Sequence, residues 1–164
     1  MRADTCRVSG EVSRGSRATH APVRLTGWVL DEKLRFMESR SWKVLLIDDS
    51  EISVELVASI LNRKGFDVRF TTRLDEFDTL LVDWSPDVIL TDVDMPGVTG
   101  VELCQRLKNY YDTSGIPIVL LSSLPAETLA ELARTCEADG YLSKLNGSET
   151  LPEELDALCA NLVW

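Results

Sequence analysis

The sequence predicts an α/β fold in which five parallel strands form one doubly wound sheet with helices on both faces. Two observations carry this. From residue 43 onward, five short apolar runs alternate with five stretches whose apolar residues recur at helical spacing. Runs such as Val44–Ile47 are apolar at every position, as in strands buried on both faces, rather than alternating as in a half-exposed sheet. Helix punctuation stands where that alternation requires it, with Ser50 able to cap one helix, Gly65 to end it and Pro86 to close the next.

Val44–Ile47 reads as the first strand, and the helix after Ser50 carries Ile52, Leu56, Val57, Ile60 and Leu61 as its apolar stripe. Phe66–Phe70 is the second strand. Thr72 through Trp84 is the second helix, with Leu74, Phe77, Leu81 and Trp84 inward. Val88–Leu90 is the third strand and Gly100–Tyr110 the third helix. Ile116–Leu121 forms the fourth strand, and Pro125–Cys136 the fourth helix, with proline near its first turn. Tyr141–Ser143 is a short fifth strand, and Thr150-x-x-Glu153 reads as a capping box opening a last helix to about Leu162. Apolar strands joined by helical crossovers require a parallel sheet, a (βα)5 flavodoxin-like arrangement. Ligands of such sheets bind beyond the carboxyl ends of the strands, where the winding reverses.

Composition narrows the function. Apolar residues make up 45% of the 164 positions, enough to bury a core. No run of about 18 apolar residues occurs, so no membrane span is expected, and no signal peptide opens the chain. The four cysteines, Cys6, Cys104, Cys136 and Cys159, form no Cys-x-x-Cys pair, and Cys104 and Cys159 fall on helical apolar positions as small core hydrophobes. His20 is the single histidine and lies in a Ser/Gly/Arg-rich stretch, which leaves no His-ligated metal site or Ser-His-Asp triad. A cytoplasmic setting is expected. Residues 1–43 carry nine Lys/Arg against five Asp/Glu, and residues 44–164 carry eight against 22. So acidic a body argues against direct contact with nucleic acid and suits basic partners or cations. Residues 1–40 read as an extension that is largely a disordered tail, with Leu30, Leu34 and Met37 spaced for a short helix near 30–39. Residues 41–164 read as the folded domain.

The strand ends carry the chemistry. They present Asp48 and Asp49 after the first strand, Asp92 and Asp94 after the third, Ser122 after the fourth and Lys144 after the fifth. Any one of these has an ordinary reading, an acid as a helix cap or a lysine as a solvated charge. Together they converge on one chemistry. Carboxylates crowded at one edge repel, and a divalent cation relieves that repulsion. Mg²⁺ suits such hard oxygens because it keeps waters and accepts phosphate oxygens. Lys144 offers a charge and Ser122 a hydroxyl to a phosphoryl group. Asp92 is then a carboxylate able to become an acyl phosphate.

The segments Lys43-VLLIDDS, Pro86-DVILTDVDMPGVTG, Ile116-PIVLLSS and Asp139-GYLSKL resemble the four signature blocks of bacterial response-regulator receiver domains of the chemotaxis type. The gaps from Asp49 to Asp92, Asp92 to Ser122 and Ser122 to Lys144 are 43, 30 and 22 positions and match that family. The resemblance covers about residues 43–162. It implies a phosphoacceptor module of a two-component pathway or phosphorelay rather than a turnover enzyme. Asp92 would take the phosphoryl group from a sensor histidine kinase or a histidine phosphotransfer protein. Asp49, Asp92 and the Asp94 carbonyl would bind Mg²⁺ directly, and Asp48 through water. Ser122 and Tyr141 would form a switch pair, whose rearrangement alters a surface read by a downstream effector protein.

The sequence departs from the family at Leu145, where the family has proline after its lysine, joined through a cis bond. A non-proline cis bond costs roughly 3–4 kcal/mol, so a trans bond and a differently shaped Leu145–Glu149 loop are expected. Two other readings compete. The order Asp92-x-Asp94, Ser122, Lys144 also resembles haloacid-dehalogenase phosphatases, but their acidic pair follows the lysine, whereas Asp48-Asp49 precedes it. A receiver-like interaction module that works without phosphorylation is the alternative binding role.

Overall fold

A computed structural model describes residues 41–147 and 149–162. The expectations for residues 1–40 lie outside the described residues. Five strands, β1 (Lys43–Ile47), β2 (Asp67–Thr71), β3 (Val88–Asp92), β4 (Ile118–Ser122) and β5 (Gly140–Ser143), alternate with five helices. These are α1 (Glu51–Arg63), α2 (Leu74–Trp84), α3 (Gly100–Asn109), α4 (Ala126–Cys136) and α5 (Leu151–Leu162). The strands are all parallel, in the order β2-β1-β3-β4-β5. The winding therefore reverses between β1 and β3, and the predicted architecture is the one observed.

Successive strand residues point to opposite faces, so each continuous apolar run supplies two cores. Val44, Leu46, Val88 and Leu90 join α1 and α5 residues such as Leu61 and Leu155 on one face. Leu45, Ile47, Ile89 and Leu120 join Phe77, Leu103 and Leu129 of α2, α3 and α4 on the other. The three central strands are almost wholly buried, which is why their sequences show no alternation. Cys104, Cys136 and Cys159 are free and buried among these residues. Burial pushes the Cys159 thiol up to about 12, so it packs as a small hydrophobe, as its helical position suggests.

In α1 the predicted stripe holds at Val57 and Leu61 but not at Ile52 and Leu56. Val54, Val57, Ala58 and Leu61 are buried, whereas Ile52 is 80% and Leu56 54% exposed. Apolar residues stand on both sides of this helix, and only packing against the sheet selects the Val54–Leu61 face. Ser50 caps α1 by accepting from the Ser53 amide, and Gly65 follows the helix with φ 96°, the left-handed position that glycine tolerates best. A complete capping box stands at Thr99 and Glu102 before α3, where the sequence reading placed none. At Thr150, by contrast, the hydroxyl donates to the Gly147 carbonyl, and Glu153 pairs with Lys64 at 3.8 Å.

The start of α3 is pressed against the end of β3. The Gly100 amide donates to the Val93 carbonyl at 3.0 Å, and the Thr91 hydroxyl donates to the Asp92 carbonyl at 3.1 Å. A Cβ on Gly100 would overlap the Asp92 carbonyl oxygen and lie 2.9 Å from its carbon. That neighbour is backbone of the central strand and cannot swing aside. Gly100→Ala is therefore expected to cost about 1–3 kcal/mol of stability, read from urea unfolding. An unchanged midpoint would show that the α3 start shifts freely away from β3.

Candidate functional site

At one edge of the sheet, each strand ends at, or one residue before, a small side chain bearing oxygen. Each of these oxygens accepts from the backbone amide two residues later. The pairs are Ser50 N to Asp48 Oδ1 at 2.9 Å, Arg73 N to Thr71 Oγ1 at 3.1 Å and Asp94 N to Asp92 Oδ2 at 2.8 Å. Leu124 N to Ser122 Oγ and Leu145 N to Ser143 Oγ follow, both at 3.2 Å. Short polar side chains favour this local closure where a strand turns into a loop. It satisfies the first loop amides and fixes where each oxygen points.

Lys144 crosses from β5 to the two central strands. Its Nζ lies 2.6 Å from Asp48 Oδ2 and 2.5 Å from Asp92 Oδ1, and donates to Ser53 Oγ at 3.2 Å. The Ser53 hydroxyl donates to Asp48 Oδ2 at 2.5 Å. Asp48 and Asp92 are 2% and 7% exposed. Two carboxylates so close on neighbouring strands require a cation between them, and the ammonium is that cation.

Electrostatics sort the three charges. For Lys144, burial pushes the pKa down, but hydrogen bonds to Asp48 and Asp92 and the charges of both outweigh it, so the ammonium titrates above its usual range. For Asp48, burial pushes up, yet hydrogen bonds from Lys144, Ser53 and the Ser50 amide hold it below the usual carboxylate value. For Asp92, burial dominates. With the nearby Asp48 charge it overrides the hydrogen bond and charge of Lys144 and the Asp94 amide, and the carboxyl lies above its ordinary value. Asp92 is thus the member of the pair whose charge the fold tolerates less.

Of the residues singled out by the sequence, Asp48, Asp92 and Lys144 touch directly. Ser122 is buried at the end of β4, the strand between β3 and β5. Because its oxygen accepts from Leu124, its proton remains available to donate. Tyr141 is 37% exposed. Its register partner is Leu120, while Ser143 pairs with Ser122, so Tyr141 lies on the Ser122 face of the sheet, two residues below it. Asp49 and Asp94 are exposed just past β1 and β3, outside the Lys144 network. No cis peptide bond occurs among the described residues. Lys144–Asn146 instead form one 3-10 turn, and the turn after β5 still delivers the ammonium to Asp92. Ser53 and Ser143 are the members that sequence reasoning missed. Ser53 lies five positions after Asp48, on the first turn of α1, and its partner Lys144 is distant in the chain.

Among the described residues no three carboxylates converge as a ready-made cage. The donor chemistry nevertheless suits Mg²⁺. Asp49 and Asp94 are exposed just past β1 and β3, the neighbouring strands that flank the winding reversal, and a positive group already sits between Asp48 and Asp92. Such an arrangement of one or two carboxylates plus water is how Mg²⁺ is usually held.

Opposite pKa shifts give a pH signature. Asp48, held low, contributes stability that is complete above the ordinary carboxylate value and lost as pH falls through its folded value. Asp92, held high, acts in the other sense. Its ionisation opposes folding as pH rises from the ordinary value through the raised one. Asp92→Asn keeps an oxygen for Lys144 and removes that charge. The variant should melt above the parent at neutral pH, with the gap closing below the carboxylate range. A variant that melts lower at neutral pH would show that the ion pair with Lys144 outweighs burial.

The response-regulator receiver domain family model matches residues 44–156. PilG of Pseudomonas aeruginosa is 32% identical over 116 residues, covering 70% of this chain and 84% of PilG. CheV1, a chemotaxis protein of Helicobacter pylori, is 33% identical over 73% of this chain and 40% of its own length. PhoB, the phosphate regulon transcriptional regulatory protein of Rhizobium meliloti, is 32% identical over 62% of this chain and 45% of its own. The chain thus spans less than half of these two relatives. The crystal structure of the Vibrio cholerae chemotaxis response regulator CheY4 superposes with a TM-score of 0.65 at 27% identity, covering 73% of this chain and 99% of that one. A signal receiver domain of a Syntrophus aciditrophicus histidine kinase gives 0.64 at 27% identity, over 74% and 92%. With its winding reversal, paired carboxylates and bridging lysine, the chain belongs to the response-regulator receiver domain family.

Proposed function

We propose that Asp92 is the phosphoacceptor and that the domain works as a phosphorylation switch in a two-component or phosphorelay pathway. The observation that carries this reading is the Lys144 ammonium lying within hydrogen-bond reach of Asp92 Oδ1, at 2.5 Å. In the transfer, an Asp92 oxygen forms a bond to phosphorus as the bond from phosphorus to the donor breaks. The donor's imidazole nitrogen, or a carboxylate when the donor is a small acyl phosphate, departs with the bonding electrons. Lys144 neutralises charge on the transferring group and the Ser122 hydroxyl donates to one of its oxygens. Mg²⁺, held by Asp49, Asp92 and the Asp94 carbonyl with Asp48 acting through water, would supply further charge neutralisation at the phosphoryl oxygens.

Movement of Ser122 toward the phosphoryl group draws Tyr141 inward from its half-exposed position and changes the β4–β5 edge that an effector protein reads. The donor is a sensor histidine kinase or a histidine phosphotransfer protein, which places the reaction in the cytoplasm. Residues 41–164 carry this activity and residues 1–40 are an extension to it. Among the described residues no helix is long and apolar enough to cross a membrane.

Treatment with a small acyl phosphate donor and Mg²⁺ should add one phosphoryl mass to the intact protein and none to Asp92→Asn. Incorporation into the Asn variant would move the acceptor elsewhere. In calorimetric titration, Asp49→Ala should weaken Mg²⁺ binding far more than Asp48→Ala. Equal losses would refute the division between direct and water-mediated ligation.

A further inference from the structure

The ammonium of Lys144 carries three hydrogens, and three oxygens surround it. They are Asp92 Oδ1 at 2.5 Å, Asp48 Oδ2 at 2.6 Å and Ser53 Oγ at 3.2 Å. An ammonium has three donors and no more, so every one of them is engaged and none remains for a phosphoryl oxygen. Two of the acceptors are carboxylates. The third is a neutral hydroxyl at the longest distance, and it is the contact that electrostatics surrenders first.

Ser53 is itself well placed to hold. Its amide donates to Ser50 Oγ at 3.3 Å within the α1 cap, which fixes its backbone. Its hydroxyl closes a ring by donating to Asp48 Oδ2. Lys144 and Asp48 are therefore tied to the first turn of α1 as well as to each other.

We propose that Ser53 is a positioning residue that parks Lys144 across Asp48 and Asp92, so that release from Ser53 frees an ammonium hydrogen for the phosphoryl group and opens Asp92 to the cation. The proposal rests on the reading of Asp92 as phosphoacceptor. Ser53 could act in the opposite direction by steadying Asp48, whose looseness would weaken cation binding. Asp48, however, is 2% exposed and keeps the Ser50 amide on its other oxygen, so its orientation survives the loss of one hydroxyl. Lys144 keeps its two carboxylate contacts but loses its tie to α1 and gains a free hydrogen, so its parked state is the one that weakens.

The test uses the full chain with Ser53→Ala, Ser53→Val and Ser53→Thr. Valine and threonine differ by a methyl for a hydroxyl at nearly constant volume, so packing is held fixed even where alanine lowers stability. Mg²⁺ affinity is read by calorimetry, metal-free melting by circular dichroism, and phosphoryl incorporation from a small acyl phosphate at sub-saturating Mg²⁺ by intact mass. The Ala and Val variants should bind Mg²⁺ about three- to tenfold more tightly than the parent, the worth of one hydrogen bond. Their incorporation should quicken by a similar factor, and Thr should match the parent. Unchanged or weaker binding in Ala and Val, a Thr variant that behaves like Val, or unfolding of Val while Thr stays folded would overturn the parking role. If the parent binds Mg²⁺ and takes the phosphoryl group while the variants match it, this proposal alone falls. A parent that does neither would fail the receiver reading and this proposal with it.

Discussion

Two buried carboxylates on adjacent parallel strands can coexist only with a positive group between them, and everything at this edge of the sheet follows from that constraint. Asp48 and Asp92 stand at the carboxyl ends of β1 and β3, the strands flanking the winding reversal, where no crossover helix covers the strand ends. The ammonium that reconciles them comes from β5, two strands beyond β3. Removing the Lys144 ammonium would strand both carboxylates. The sheet order, the length of the lysine side chain and the short turn after β5 are therefore parts of a single requirement.

The fold meets that requirement with rigidity placed beneath the site. The strands carrying the carboxylates are sealed between two apolar layers, and the first residue of α3 presses on the Asp92 backbone. The chemistry above can change its charge while the frame below stays fixed. Asp92 bears the cost of that design, since burial and the Asp48 charge hold its carboxyl above the usual range. Asp48, by contrast, is held low by hydrogen bonds from Lys144, Ser53 and the Ser50 amide.

The continuous apolar runs made the sheet legible from the sequence, because strands buried on both faces need no partner to be recognised. The carboxylates were legible for a related reason: polar residues that end such runs stand at the carboxyl edge by topology. What escaped depended on phase or on distance along the chain. Ile52 and Leu56 share helical spacing with Val57 and Leu61, yet Val54 and Ala58 are the residues that join Val57 and Leu61 against the sheet, and only the position of β1 decides between the two sides. The capping box at Thr99 hides behind a glycine that is needed for close approach. Ser53 and Lys144 are 91 positions apart, a pairing that no local pattern announces. The shape of the loop at Leu145 was anticipated in part, since the trans bond follows from the energetics of the missing proline, whereas the 3-10 turn depends on the Ser143 hydroxyl.

Each of the five loops above the sheet is tied to its own strand by a side chain at the point of departure, and none of those ties borrows an atom from a neighbouring loop. The loops after β2 and β4 are anchored in this way alone, whereas Lys144 also joins the turn after β5 to the ends of β1 and β3. Substitutions in the loops after β2 and β4 can alter their surface without disturbing that network, much as instruments can be exchanged on a common mount. A domain built this way can change its outer loops while the Asp48–Lys144–Asp92 network beneath is kept.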